Sequence, residues 1–143
     1  MFETSPAPPV QRDAIPALLS AAGITPTLQR VEIAALLFGG AQHLCADQVI
    51  ARLSAADVSV SKATVYNTLG LFAERGLLRE VMVDATRVFY DSNTAPHHHF
   101  YNVDDGVLTD FPSADLMISH LPAPPPGTST DTVDVVIRVR NKA

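Results

Sequence analysis

Cysteine is almost absent from this chain. Cys45 is the single one among 143 residues, so no intrachain disulfide can form and a zinc site on paired Cys-x-x-Cys motifs is excluded. Any metal held here has to sit on histidine and carboxylate. Long apolar runs are missing as well. The longest, "IAALLFGGA", breaks at Gly39 and Gly40 and is far too short to cross a bilayer, and no signal-peptide pattern is visible. No membrane partner is expected, and the composition predicts a cytoplasmic protein.

An excess of basic charge is also lacking, and a net charge of −5 would repel nucleic acid at long range. Its distribution matters more than its total. Residues 1–90 carry seven Lys/Arg against eight Asp/Glu, whereas residues 91–143 carry three against seven. A near-neutral binding domain followed by an acidic one fits that asymmetry. What is present in quantity is apolar side chain, 47% of the residues, enough to bury a core in one large domain or two small ones.

The opening "MFETSPAPPV" is proline-rich and predicts a frayed tail over residues 1–12. "RDAIPALLSAAG" then spaces Ile15, Leu18, Leu19 and Ala22 as a helix does and stops at Gly23. "TPTLQRVEIAALLFGG" reads as a second helix with Thr25 as N-cap and Pro26 at its first position. "CADQVIARLSAA" gives a third, with Val49, Ile50 and Leu53 on one side. "SVSKATVYNTLGLFAERG" gives a fourth, capped by Ser59 or Ser61, burying Val65, Leu69 and Phe72 and ending at Gly76. "LLREVMV" and "TRVFYDS" flank "DA" as a hairpin.

Helices followed by a hairpin make a winged helix over 13–91, in which one helix enters the major groove of double-stranded DNA. The fourth helix is the candidate. Its N-terminal half gathers Ser61, Lys62, Thr64, Tyr66, Asn67 and Thr68, with Arg75, Arg79 and Arg87 at the helix end and hairpin. A plain solvated helix face is the competing reading, and the order of elements weighs against it.

Residues 92–143 differ in kind. "HHHFYNV" and "GVLTDF" read as strands joined at Asp104-Asp105-Gly106, "SADLMISHL" as a short helix capped by Ser113, and "TVDVVIRVR" as a strand burying Val133, Val135, Ile137 and Val139. So small an α/β core predicts pairing with a second copy, a homodimer. The fold class expected is α+β: a winged-helix domain, then a small α/β dimerisation domain.

Three adjacent histidines open that second part. On a strand His97 and His99 point one way and His98 the other, so the pair makes a two-pronged metal ligand or, more blandly, a polar strand start. Asp91, Asp110 and His43 are further donors. Imidazole with carboxylate suits Fe²⁺, Mn²⁺ or Zn²⁺, and ligands from both domains would lock their orientation. Cys45 is either a redox or haem-binding thiol or an inert buried one. A metallohydrolase and a winged helix used only for protein contacts are the rivals. No HExxH and no nucleophile with its base can be named, so no enzyme is expected.

From about Gly23 to Phe111 the chain resembles the ferric uptake regulator (Fur) family of metal-dependent repressors, through "GITPTLQRVEIAALLF", "HLCADQVIARL", "VSKATVYNTLGLFAERGLL" and "FYDSNTAPHHHFYNVDDGVLTDF". "ATVYNTL" with "HHHFY", "SHLPAPP" and "VDVVIRVR" is most similar to its iron response regulator branch. The resemblance implies regulation of iron uptake and haem metabolism genes at an AT-rich iron-control operator. It implies a sensing site on His43, Asp91, His97, His99 and Asp110, with Tyr90 as the ungapped alternative to Asp91. It implies a recognition helix carrying Tyr66, and haem as a second ligand on His97, His98 and His99. Departures are equally plain. Asn102 and Asp105 stand where many relatives have a Cys-x-x-Cys pair, so their structural zinc is absent. Thr25 replaces a basic residue before the second helix, Ala46 replaces the proline of a Cys-Pro haem motif, and a second metal site on His98 finds only His120 in reach.

Overall fold

The structure is a computed structural model that describes residues 9–40 and 43–143. Two compact units divide it after Thr94. The tail expected over residues 1–12 lies outside the described residues up to residue 8. Its end is tied in, because the Val10 N–H donates to the Phe38 carbonyl at 2.8 Å and Val10 packs on the core.

The first unit opens with a 3₁₀ turn, Arg12–Ala14, then α1, Ile15–Ala21, and α2, Leu28–Phe38. Gly23 takes φ +75° between them, a left-handed position that glycine adopts without the penalty of a Cβ. α2 starts later than Thr25 and Pro26 suggested. Thr27 is its cap, with the hydroxyl accepting the Arg30 N–H at 3.2 Å, and the Arg30 guanidinium donates to the Thr25 carbonyl at 2.9 Å. A short strand β1, His43–Cys45, leads into α3, Ala46–Ala55, and then comes α4, Lys62–Glu74. Of the two caps proposed for α4, Ser61 serves: its Oγ accepts the Thr64 N–H at 3.1 Å.

Ile15, Leu19, Ile33, Leu37, Val49, Leu53, Val65, Leu69 and Phe72 form the core, with Leu44, Leu78 and Tyr90 added from the strands and the chain entering them. Each such side chain contributes roughly 1.5–3 kcal/mol by leaving water. Arg75 is a clasp within this unit, since its guanidinium donates to the Ala22 and Gly23 carbonyls at 3.2 Å each. It closes the end of α1.

β2, Arg79–Asp84, and β3, Arg87–Asp91, form the wing, and β1 adds to it, giving an antiparallel sheet of order β1-β3-β2. At the wing turn the Asp84 carboxylate accepts the Thr86 N–H and hydroxyl, each at 2.8 Å. Those bonds hold the Asp84 carboxyl below the usual carboxylate range.

In the second unit β4, His97–Asn102, and β5, Leu108–Pro112, form the expected hairpin, with Gly106 at φ +73°. β6, Val136–Val139, pairs parallel to β4. Two expectations fail here. In place of a helix over 113–121 there is one 3₁₀ turn, Ser113–Asp115, followed by extended chain. A helix this short is unstable without a covered apolar face, and Met117 is 90% exposed. Nor are Val133, Val135, Ile137 and Val139 a buried face. Val133 is exposed and the others are half-buried, because β6 is an edge strand with β4 as its one partner among the described residues. No helix of the described residues is long and apolar enough to cross a membrane.

Candidate metal centre and DNA-reading face

β1 is three residues long, and its register sets a first group of candidate donors. His43 lies directly opposite Asp91, with Nε2 at 3.8 Å from Oδ2. Directly opposed residues of an antiparallel pair share a face. Tyr90, the alternative ligand, is on the other face, opposite Leu44 and Glu80. Burial first, then the Glu80 carboxylate and the Tyr66 ring, push its phenol above the ordinary value, so a phenolate there is disfavoured. Asp91 is 1% exposed, and its Oδ1 accepts the Asn93 N–H at 2.9 Å. That bond fixes the carboxylate and leaves Oδ2 toward His43.

A second group of candidate donors lies on β4 and β5. Alternation along β4 puts the His97 and His99 rings side by side, centroids 4.5 Å apart, and the β4–β5 register sets His99 opposite Asp110. Asp110 Oδ1 is 3.0 Å from His99 Nε2 and 3.4 Å from His97 Nε2. The His97 ring is oriented from behind: Nδ1 lies 2.6 Å from the Ala95 carbonyl, which can only accept, so Nδ1 carries the proton and Nε2 offers its lone pair. A carbonyl accepting from the far ring nitrogen is how metal-ligating imidazoles are commonly held.

His98 points the other way, against Phe111 at 5.6 Å. Its Nδ1 accepts the Val135 N–H at 3.2 Å, an anchor for the chain entering β6. The neutral ring then carries its proton on Nε2, and binding iron through that atom requires giving up either the proton or the anchor. His120 is exposed in the segment before β6.

Cys45 is half-buried at the N-cap of α3, where its N–H donates to Gln48 Oε1 at 3.0 Å. It also lines a cavity of about 380 Å³ with Asp47, Tyr66, Arg87 and Tyr90.

On α4 the residues sort by face. Ser61, Lys62, Tyr66 and Asn67 are exposed, with Tyr66 at 47%, whereas Val65, Thr68, Leu69 and Phe72 are buried. Thr68, polar in the sequence, therefore belongs to the inner face. Ser61 and Thr64 spend their hydroxyls on each other at 2.8 Å as part of the cap. The outward set is a cation and, one turn on, a phenol beside an amide, which can meet phosphates and base edges. Sequence reasoning missed β1 and the Arg75 clasp. The His43 side of β1 had no strand-length pattern to reveal it.

The ferric uptake regulator family model matches residues 21–121. Over 95 residues, 66% of this chain, the sequence is 34% identical to the peroxide-responsive repressor PerR of Staphylococcus aureus, and the match spans 64% of that relative, just under two thirds. The ferric uptake regulator of Pseudomonas aeruginosa with manganese is 27% identical with a TM-score of 0.66, covering 89% of this chain and 97% of that one. The ferric uptake regulator of Francisella tularensis with iron is 25% identical with a TM-score of 0.67, covering 84% and 93%. The family match takes in α2 to α4, the wing and the histidine strand alike, and the chain belongs to the ferric uptake regulator family.

Proposed function

We propose that this protein is a metal-dependent, DNA-binding transcription regulator that acts as a homodimer, and that His43, Asp91, His97, His99 and Asp110 hold one divalent ion with ligands from both units. The observation that carries the reading is the pair of preformed donor sets, His43 with Asp91 and His97, His99 with Asp110. Each alone is too few for a hexacoordinate or closed tetrahedral ion. Together they offer three imidazoles and two carboxylates, the hard-to-borderline set suited to iron, manganese or zinc. The neutralising charge of two carboxylates fits a dication.

When bound, the ion supplies a fixed positive centre that ties these ligands together. The chain's own residues do the rest. His97 is oriented by Ala95, Asp91 by Asn93, and any proton shared between His99 and Asp110 has to leave, so ion binding weakens as pH falls. Lys62, Tyr66 and Asn67 read DNA, with Ser61 and Thr64 holding the helix start toward the backbone. Operators of AT-rich, iron-control type are the expected targets. Relatives solved with manganese and with iron support a metal of that class.

The finer reading is an iron response regulator that also answers to haem. It rests on the three-histidine strand and on the resemblance given above. Haem would take His97 or His99 away from Asp110, so its effect on DNA affinity should oppose that of the divalent ion.

Calorimetric titration of the metal-free protein with Mn²⁺ tests the single shared centre. One ion per chain is expected, lost alike in Asp91→Asn and in His99→Ala. An ion still bound with unchanged affinity in either variant would refute ligation from both units.

A further inference from the structure

Tyr90 is 9% exposed, and its hydroxyl makes no hydrogen bond among the described residues. A buried phenol usually has a partner. Fully buried side-chain nitrogens and oxygens of the described residues are all paired, so this hydroxyl meets open space, and Tyr90 lines the cavity of about 380 Å³ in the first unit. The groups around it are donors too. Arg87 brings a guanidinium from the wing, and Ala46 and Asp47 bring the first turn of α3, where the leading N–H groups have no partner within the helix. Asp47 is the one carboxylate among these lining residues; it is exposed and matched in charge by Arg87. Donors converging from a strand, a wing and a helix start suit an anion rich in acceptor oxygens, as phosphate is. Tyr66 points to its source. That residue lines the cavity and also belongs to the exposed face of α4 with Lys62 and Asn67, so a duplex lying on that face passes the cavity.

Resting on the DNA-binding reading above, we propose that this cavity seats one backbone phosphate of double-stranded DNA, held by the Tyr90 hydroxyl, Arg87 and the start of α3. Tyr90 is then a positioning residue. A phosphate contact carries no base sequence, but it sets the register in which Tyr66 and its neighbours meet the base edges. The seat also gives the wing a part in binding, through Arg87, that α4 alone does not supply.

The test uses the full chain with Mn²⁺ and a duplex selected by the wild type from a random pool. Fluorescence anisotropy is measured on copies of that duplex carrying a single uncharged methylphosphonate at successive positions, for the wild type, Tyr90→Phe and Arg87→Gln. Tyr90→Phe keeps the ring in the core and should melt close to the wild type, yet bind the unmodified duplex about ten-fold more weakly. At one position in each half-site the methylphosphonate should cost the wild type about ten-fold and Tyr90→Phe about two-fold or less, because the two changes remove the same contact. Arg87→Gln should show the same pattern at the same position. A merely structural tyrosine would leave the penalty at every position alike in wild type and variant, and that result overturns the inference while the DNA reading stands. Tyr90-dependent binding of inorganic phosphate, seen by phosphorus NMR without any such position, would make this a seat for a free anion and overturn the DNA assignment. A wild type that selects no duplex refutes the DNA reading itself and this inference with it.

Discussion

Tyr66 and Lys62 lie four residues apart on the exposed face of α4, and their chemistry predicts different failures. Tyr66→Ala removes a group able to touch base edges and should weaken specific DNA binding by about 1–3 kcal/mol. Lys62→Ala removes a phosphate partner and should weaken all sequences alike while flattening the salt dependence. Fluorescence anisotropy on specific and scrambled duplexes at several salt concentrations separates the two, and unchanged affinity in both variants would move the reading face elsewhere. Tyr90 makes a second prediction at this scale. Its phenol is raised in the fold, so the stability it contributes is whole below the ordinary tyrosine value, near pH ~10, and is lost as pH rises from there through the folded value. Tyr90→Phe should therefore lose less stability than the wild type between neutral pH and strong alkali in denaturant titrations. Equal losses would mean that burial and Glu80 do not act on the phenol as the geometry implies.

The four helices were legible because their signals are local. Apolar spacing set the buried faces, Gly23 and Gly76 supplied left-handed stops, and Ser61 offered a cap three residues before Thr64. The β4–β5 hairpin was legible for the same reason, through alternation and a turn closing on Gly106. β1 was not. His43, Leu44 and Cys45 become a strand only by pairing with Phe89, Tyr90 and Asp91, more than forty residues later, and no local pattern carries that. The helix expected over 113–121 fails in the opposite way: its periodicity is present, but Met117 and Leu121 remain exposed, so nothing in the unit rewards the helical face. The candidate donors were legible as a list of residue types. That Asp91 and not Tyr90 shares the row of His43 is a matter of register, which composition and spacing leave open.

For the whole molecule, the small second unit is the element that most needs a partner. Val135, just before the edge strand, and Ile137 and Val139 on it are half-buried, and Met117, Ile118 and Leu121 are exposed nearby in sequence. A second copy covering such surface is the expected remedy. Val135→Asp should therefore shift the protein from dimer to monomer in analytical ultracentrifugation at micromolar concentration and lower operator affinity, because two half-sites would no longer be held in register. A wild type that sediments as a monomer and still binds operator tightly would contradict the dimer. The central claim, that a divalent ion on the His/Asp centre governs DNA binding, is tested most directly by one measurement. Anisotropy of an AT-rich iron-control duplex is followed with metal-free and Mn²⁺-loaded wild type, beside the His97→Ala/His99→Ala double variant. The account predicts tight, salt-sensitive and sequence-preferring binding that changes on Mn²⁺ loading in the wild type and does not change in the variant. Affinity that is the same with and without Mn²⁺ in the wild type would contradict it.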